Sequence, residues 1–120
     1  MKKFNLTVEE FVSLYNGASR GIDYDHCCNL IEQIFDMNGV MTLTLAECLL
    51  QFRKYVNENK PDLKAVMDQL NSEFTIPKSS KDPNYQSTVE AYISKAKDLL
   101  KGKTIEVEHI DYKADLHVSR

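Results

Sequence analysis

The chain has 120 residues, 42% of them hydrophobic and 28% charged, which suits one domain whose hydrophobic core needs neither disulfides nor metal to fold. Its net charge of −3 is unevenly spread: residues 1–76 hold seven Lys/Arg against eleven Asp/Glu, and residues 77–120 hold eight against seven. That balance excludes the strongly basic field that nucleic acid or an anionic membrane calls for, and uncharged stretches such as Asn38–Ala46 are far too short and polar to cross a bilayer.

Met1-Lys2-Lys3 imitates the charged start of a signal peptide, but Asn5, Thr7, Glu9 and Glu10 interrupt any apolar region behind it. Three cysteines with Cys27 and Cys28 adjacent make an odd set that fits reduced thiols, so a cytoplasmic protein is expected. A mature periplasmic chain whose leader was removed stays open at this point.

Leu6-Thr7-x-x-Glu10 and Leu43-Thr44-x-x-Glu47 repeat one pattern 37 residues apart. In each, the Thr hydroxyl can accept from the amide three residues on, and the Glu can reach back to the Thr N–H as a capping box. Leu6 and Leu43 stand where each can pack on Phe11 or Cys48 as a hydrophobic staple. Helix one is therefore expected over Val8–Tyr15, stopped by Asn16-Gly17. Asp23 or Asp25 caps helix two, whose stripe is Tyr24, Cys27, Leu30/Ile31 and Ile34/Phe35, and Asn38-Gly39 ends it. Helix three follows Thr44 with Leu45, Cys48/Leu49, Phe52 and Val56 on one face, closing at Lys60. Pro61 suits the first position of helix four, which carries Leu63, Val66/Met67, Leu70 and Phe74.

Residues 77–87 hold two prolines, three serines and two lysines and read as a loop. Helix five is expected from about Thr88 to Lys101, with Val89, Tyr92/Ile93, Ala96 and Leu99/Leu100 in line and Gly102 at its end. The tail then changes period. Ile105, Val107 and His109 alternate with Glu106 and Glu108 as on a half-buried strand, and from Ile110 the parity flips to Ile110, Tyr112, Leu116 and Val118. A bulge, a turn or a second strand each produces that flip. The fold expected is mainly α: a single domain over 1–120, a five-helix compact bundle or orthogonal array with a short C-terminal β segment or hairpin. Its four-helix part covers 1–76, and a helix plus extended tail covers 88–120.

Chemistry-bearing groups are few. His26-Cys27-Cys28 with Cys48 lacks the spaced ligands of zinc sites, because adjacent helical residues diverge by about 100°. Cys27 and Cys48 also fall on apolar stripes, where free cysteine is a common core residue. Asp23-Tyr24-Asp25 opens like a calcium loop, yet Cys28 and Ile34 stand where the glycine and the bidentate Glu belong. Glu106, Glu108, His109, Asp111, Asp115 and His117 form the densest acid–histidine cluster, read here as a solvated strand face that discourages edge pairing. The Gly17–Gly21 segment lacks P-loop spacing and its Lys. Helix four pairs Lys64 with three acidic groups, which does not make a recognition helix.

The order Cys27-x-x-Leu30-Ile31-x-x-x-x-Asp36, then Met41 to Pro61 with Thr44, Cys48, Phe52, Tyr55 and Asn59, then Leu70-x-x-x-Phe74-x-x-Pro77, resembles one family. It is similar to the small helical immunity proteins that neutralise type VI secretion amidase effectors. The likeness covers residues 7–77, and the tail from Lys78 has no counterpart in it. The resemblance implies a helical fold and inhibition of an enzyme partner, and it transfers no binding residue.

The function expected is therefore non-catalytic protein binding by a small cytoplasmic inhibitor, an immunity-type factor or a phage accessory protein. No catalytic residue, cofactor or metal is assigned, the partner is a protein, and a homodimer stays open. Exposed aromatics with acidic groups make interface cores and rims, so Tyr15, Tyr85 and Tyr112 are the candidate contacts with Glu106 and Glu108 as a charged rim. Tyr15 equally suits closing helix one against the core, and Tyr85 suits a plain loop position. Two other readings compete. One is a nucleic-acid-associated regulator whose Lys78, Lys81, Lys95, Lys97, Lys101 and Lys103 touch phosphate. The other is a small hydrolase using Glu106 and His109.

Overall fold

Threonine side chains start two of the helices. Thr7 Oγ1 accepts from the Glu10 amide at 3.1 Å while Glu10 Oε1 accepts from the Thr7 amide at 2.9 Å. Thr44 and Glu47 repeat both bonds at the same lengths. Each box contributes about 1 kcal/mol to its helix. The computed structural model describes residues 3–17, 22–35 and 44–110. Its elements are β1 (Lys3–Asn5), α1 (Val8–Asn16), α2 (Tyr24–Phe35), α3 (Leu45–Asn59), α4 (Pro61–Glu73), α5 (Tyr85–Leu99) and β2 (Glu106–Glu108). The mainly helical fold with a short terminal β segment is as the spacing leads one to expect.

The stop and start signals act as their chemistry dictates. Gly17 ends α1 in the left-handed region at φ 70°, its amide donating to Ser13 O at 3.0 Å. Of the two aspartates available, Asp23 caps α2, its Oδ1 accepting from the His26 amide at 2.8 Å. Pro61 opens α4 without a side-chain cap, since a proline at the first position has no N–H to satisfy. The ends of α2 expected at Asn38-Gly39 and the staple residue Leu43 lie outside the described residues. α5 starts about three residues before Thr88. The linker supplies its own turn there: Asn84 N donates to Asp82 Oδ1 at 2.8 Å and Tyr85 N to Asp82 O at 3.0 Å, after which Asn84 O takes the Thr88 amide.

Five consecutive α1 residues, Phe11 to Tyr15, are buried. A helix packed on one side buries a stripe, so this run means that α1 is enclosed, and it packs on α2, α3 and α5. α3 adds Cys48, Leu49, Phe52 and Val56, α4 adds Leu63, Val66, Met67 and Leu70, and α5 adds Val89, Tyr92 and Ala96. Phe11 and Phe52 meet edge to face across α1 and α3, with ring centroids 6.1 Å apart. The α2 stripe is buried only from Cys27 onward, so Tyr24, expected on it, stands 62% exposed at the first turn. Among the described residues no helix is long and apolar enough to cross a membrane.

The strand partner comes from the other end of the chain. β2 pairs antiparallel with β1 in the register Lys3↔Glu108, Phe4↔Val107 and Asn5↔Glu106, and Leu6 N extends the ladder to Ile105 O at 2.8 Å. Ile105 and Val107 enter the core while Glu106 and Glu108 face outward, the alternation read from the sequence. Ile110 N then donates to Ile34 O at 3.0 Å, tying the end of β2 to α2. The parity change after Ile110 falls on residues 111–120, outside the described residues.

Candidate functional site

The aromatic and acidic residues singled out as contacts go to different places. Tyr15 is only 4% exposed, which overturns its reading as a surface contact and leaves the other, that it closes helix one against the core. Its hydroxyl donates to Asn57 Oδ1 at 2.7 Å, its carbonyl accepts from Arg53 Nε at 2.9 Å, and the Arg53 guanidinium lies 5.2 Å from the ring centroid. Burial, with the Asp68 charge nearby, pushes its phenol above the ordinary value. Because α1 is enclosed, its last aromatic closes the core. Tyr85 is the first residue of α5 and half-buried. Tyr112 lies outside the described residues.

Glu106 and Glu108 share the outer face of β2, as strand geometry requires. They are engaged by cations and hydroxyls of the fold itself. Lys3 Nζ stands 3.6 Å from Glu106 Oε1, and Lys60 Nζ donates to Glu108 Oε2 at 3.2 Å. The Tyr55 hydroxyl donates to Glu108 Oε1 and accepts from the Glu108 amide at 3.0 Å. Tyr55 is pushed up to about 12 by burial and by this carboxylate. The Tyr55 hydrogen bond, with Lys60, holds Glu108 below the usual carboxylate range. These residues are a latch that fastens β2 to the end of α3, in place of the free charged rim expected.

A depressed folded-state value means that this carboxylate stabilises the fold above its unfolded value of 4.5 and ceases to as pH falls through the lower folded value. Stability is thus expected to drop on acidification below 4.5, and Glu108→Gln to flatten that slope. Urea midpoints taken along a pH series for both proteins check this; parallel slopes contradict it.

His109 Nδ1 lies 3.0 Å from Ile34 O, so this ring is turned to the end of α2. Asp111, Asp115 and His117 lie outside the described residues. Cys27 and Cys48 are buried, and desolvation raises both thiols, Cys48 to about 11, so neither is poised as a nucleophile. Among the described residues no three His, Cys, Asp or Glu side chains group as a metal cage.

What the surface offers instead is the outer face of α2. Tyr24 is 62% exposed between Asp23 and Asp25. Beside them a shallow groove of about 470 Å³ is lined by Asp23, Asp25, His26, Asn29, Leu30 and Gln33. Residues 22–35 carry three carboxylates, Asp23, Asp25 and Glu32, and no Lys or Arg. His26 Nε2 sits 2.7 Å from Glu10 Oε2, joining the α1 capping box to this face. The Tyr24 phenol is pushed up first by its hydrogen bond with Cys28, with the nearby Asp25 charge adding to it. A second surface lies between α1 and α3, a groove of about 310 Å³ lined by Tyr15, Asn16, Gly17, Ala46, Leu49, Leu50 and Arg53, with Leu50 65% exposed.

Comparison with protein-family models, curated proteins and solved structures returns no match for this chain.

Neither exposed residue was singled out from sequence, although one signal existed. On a helical wheel Leu50 stands about 100° from Leu49 and nearly opposite Phe52, outside the buried stripe. Tyr24 gives no such signal, because it falls on the stripe by spacing and is exposed only by its place at the helix start.

Proposed function

We propose that this chain is a non-catalytic protein-binding protein of the cytoplasm, a small inhibitor or an immunity-type or phage accessory factor, and that it engages its partner with the outer face of α2. The observation that carries this reading is Tyr24, 62% exposed and shouldered by Asp23 and Asp25 on a helix without Lys or Arg. A tyrosine presents a large amphipathic contact area with little rotamer entropy to lose, and Tyr is enriched at binding hot spots. Flanking carboxylates favour a basic surface on the partner and speed the encounter with it. The helical resemblance to amidase-neutralising immunity proteins supports the same class of function.

Site-specific photocrosslinking in the native cells tests this. With a photoreactive phenylalanine at position 24, one protein adduct is expected that a probe at position 85 does not give. Equal labelling from both positions, or none from position 24, counts against the α2 face.

A further inference from the structure

Asn16 is followed by Gly17, a pair in which the side-chain amide is open to attack by the next backbone nitrogen because glycine places no Cβ in the way. In that reaction Gly17 N gives its proton to solvent base and bonds Asn16 Cγ. The Cγ–Nδ2 bond breaks, ammonia leaves, and a succinimide forms. Water then adds to either ring carbonyl and opens the ring to aspartate or isoaspartate. Water is the only co-reactant, and nothing is oxidised or reduced.

The fold occupies both reacting groups. Gly17 N donates to Ser13 O at 3.0 Å. Asn16 Nδ2 donates to Tyr92 Oη at 3.1 Å, Tyr92 Oη donates to Asn71 Oδ1 at 2.6 Å, and Asn71 Nδ2 returns to Asn16 Oδ1 at 3.4 Å. The three side chains come from α1, α5 and α4 and close a ring of hydrogen bonds on Tyr92, which is 1% exposed. Bulk does not guard the bond: Gly17 is exposed, and a Cβ built on it would meet nothing within 4 Å. The hydrogen bonds do.

We propose that Asn16–Gly17 is a latent deamidation site, kept closed by the Asn16–Tyr92–Asn71 ring and released when the end of α1 opens locally. Conversion reinforces itself. A carboxylate has no N–H to give Tyr92, and its charge falls at the negative end of the α1 dipole. It also adds a carboxylate to the groove that holds Leu50 and Arg53.

The full chain, held at mildly alkaline pH in native buffer and in urea, tests this by mass spectrometry of the tryptic peptide Phe4–Arg20. Asn38-Gly39, the same pair on another peptide, provides the reference rate in urea. Conversion at Asn16 is expected to be slower by about tenfold or more in native buffer than in urea, as for a site that reacts only after local opening. Tyr92→Phe, and Asn71→Ala on the exposed side of the ring, are each expected to raise the native rate, and Asn16→Asp to lower the urea midpoint. Equal rates at Asn16 in native buffer and urea, or native rates unmoved by both variants, overturn the proposal. An unchanged Asn16→Asp midpoint overturns the self-reinforcement.

Discussion

Phe52→Ala is expected to destabilise the protein by about 3–5 kcal/mol, the range for deleting a fully buried aromatic ring from a core. Phe52 is 0% exposed on α3, and its ring meets Phe11 of α1, which in turn lies 5.9 Å from the Tyr15 ring. Truncation opens a cavity where the enclosed helix meets α3. Five buried positions on α1 cannot all shift to fill it without losing their contacts with α2 and α5. Against a total of about 5–15 kcal/mol for a domain, the loss is a large share of what holds the fold. It is read as a lower urea midpoint at unchanged slope. Leu50→Ala, on the same helix but 65% exposed, is expected within about 0.5 kcal/mol of the parent. Equal midpoints for the two variants would contradict the placement of the core between α1 and α3.

The second large effect concerns the joined ends of the chain. Val107→Asp is expected to cost about 3–5 kcal/mol, the size of leaving a charge unpaired in the interior. Val107 is 0% exposed opposite Phe4, with Ile105 buried two residues before it. The carboxylate escapes burial only if β2 lifts away, which also uncovers Ile105 and Leu6. Hydrogen exchange distinguishes this from general loosening. The Leu6 amide, bonded to Ile105 O, and the Ile110 amide, bonded to Ile34 O, are expected to lose protection before the amides of α3. Glu106→Gln, one residue away on the outer face, removes only a half-exposed ion pair with Lys3 and is expected to cost less than about 1 kcal/mol. A Val107→Asp protein as stable as Glu106→Gln would show that β2 is not part of the core.

Local chemistry made the helices legible. A capping box is closed by residues three apart, so Thr7/Glu10 and Thr44/Glu47 could be read without knowing the fold. The Gly17 stop and the Pro61 start are equally local. Contacts between distant residues were not legible. β1 is three residues long, too short for an alternation, and exists because β2 pairs with it from the other end of the chain, Lys3 with Glu108 and Asn5 with Glu106. Glu108 read as a solvated carboxylate because Tyr55 and Lys60, which engage it, belong to the end of α3. Tyr15 suits either a surface contact or a core position by sequence, and enclosure of α1 by three other helices, which buries Phe11 to Tyr15, decides for the core. The proposed surface likewise joins an exposed aromatic to carboxylates. Its residues, Tyr24 with Asp23 and Asp25, emerge only once burial is known.

The most direct test of the α2 face is affinity capture of the tagged protein from its native cells at moderate salt, in parallel with Tyr24→Ala. Co-purifying proteins are identified by mass spectrometry and nucleic acid is quantified. Tyr24 is 62% exposed, so the variant is expected to keep the parent's circular dichroism and urea midpoint. One stoichiometric protein partner, held by the parent and lost from the variant, is the result predicted. Nucleic acid without a protein partner, or a partner retained equally by Tyr24→Ala, would contradict it.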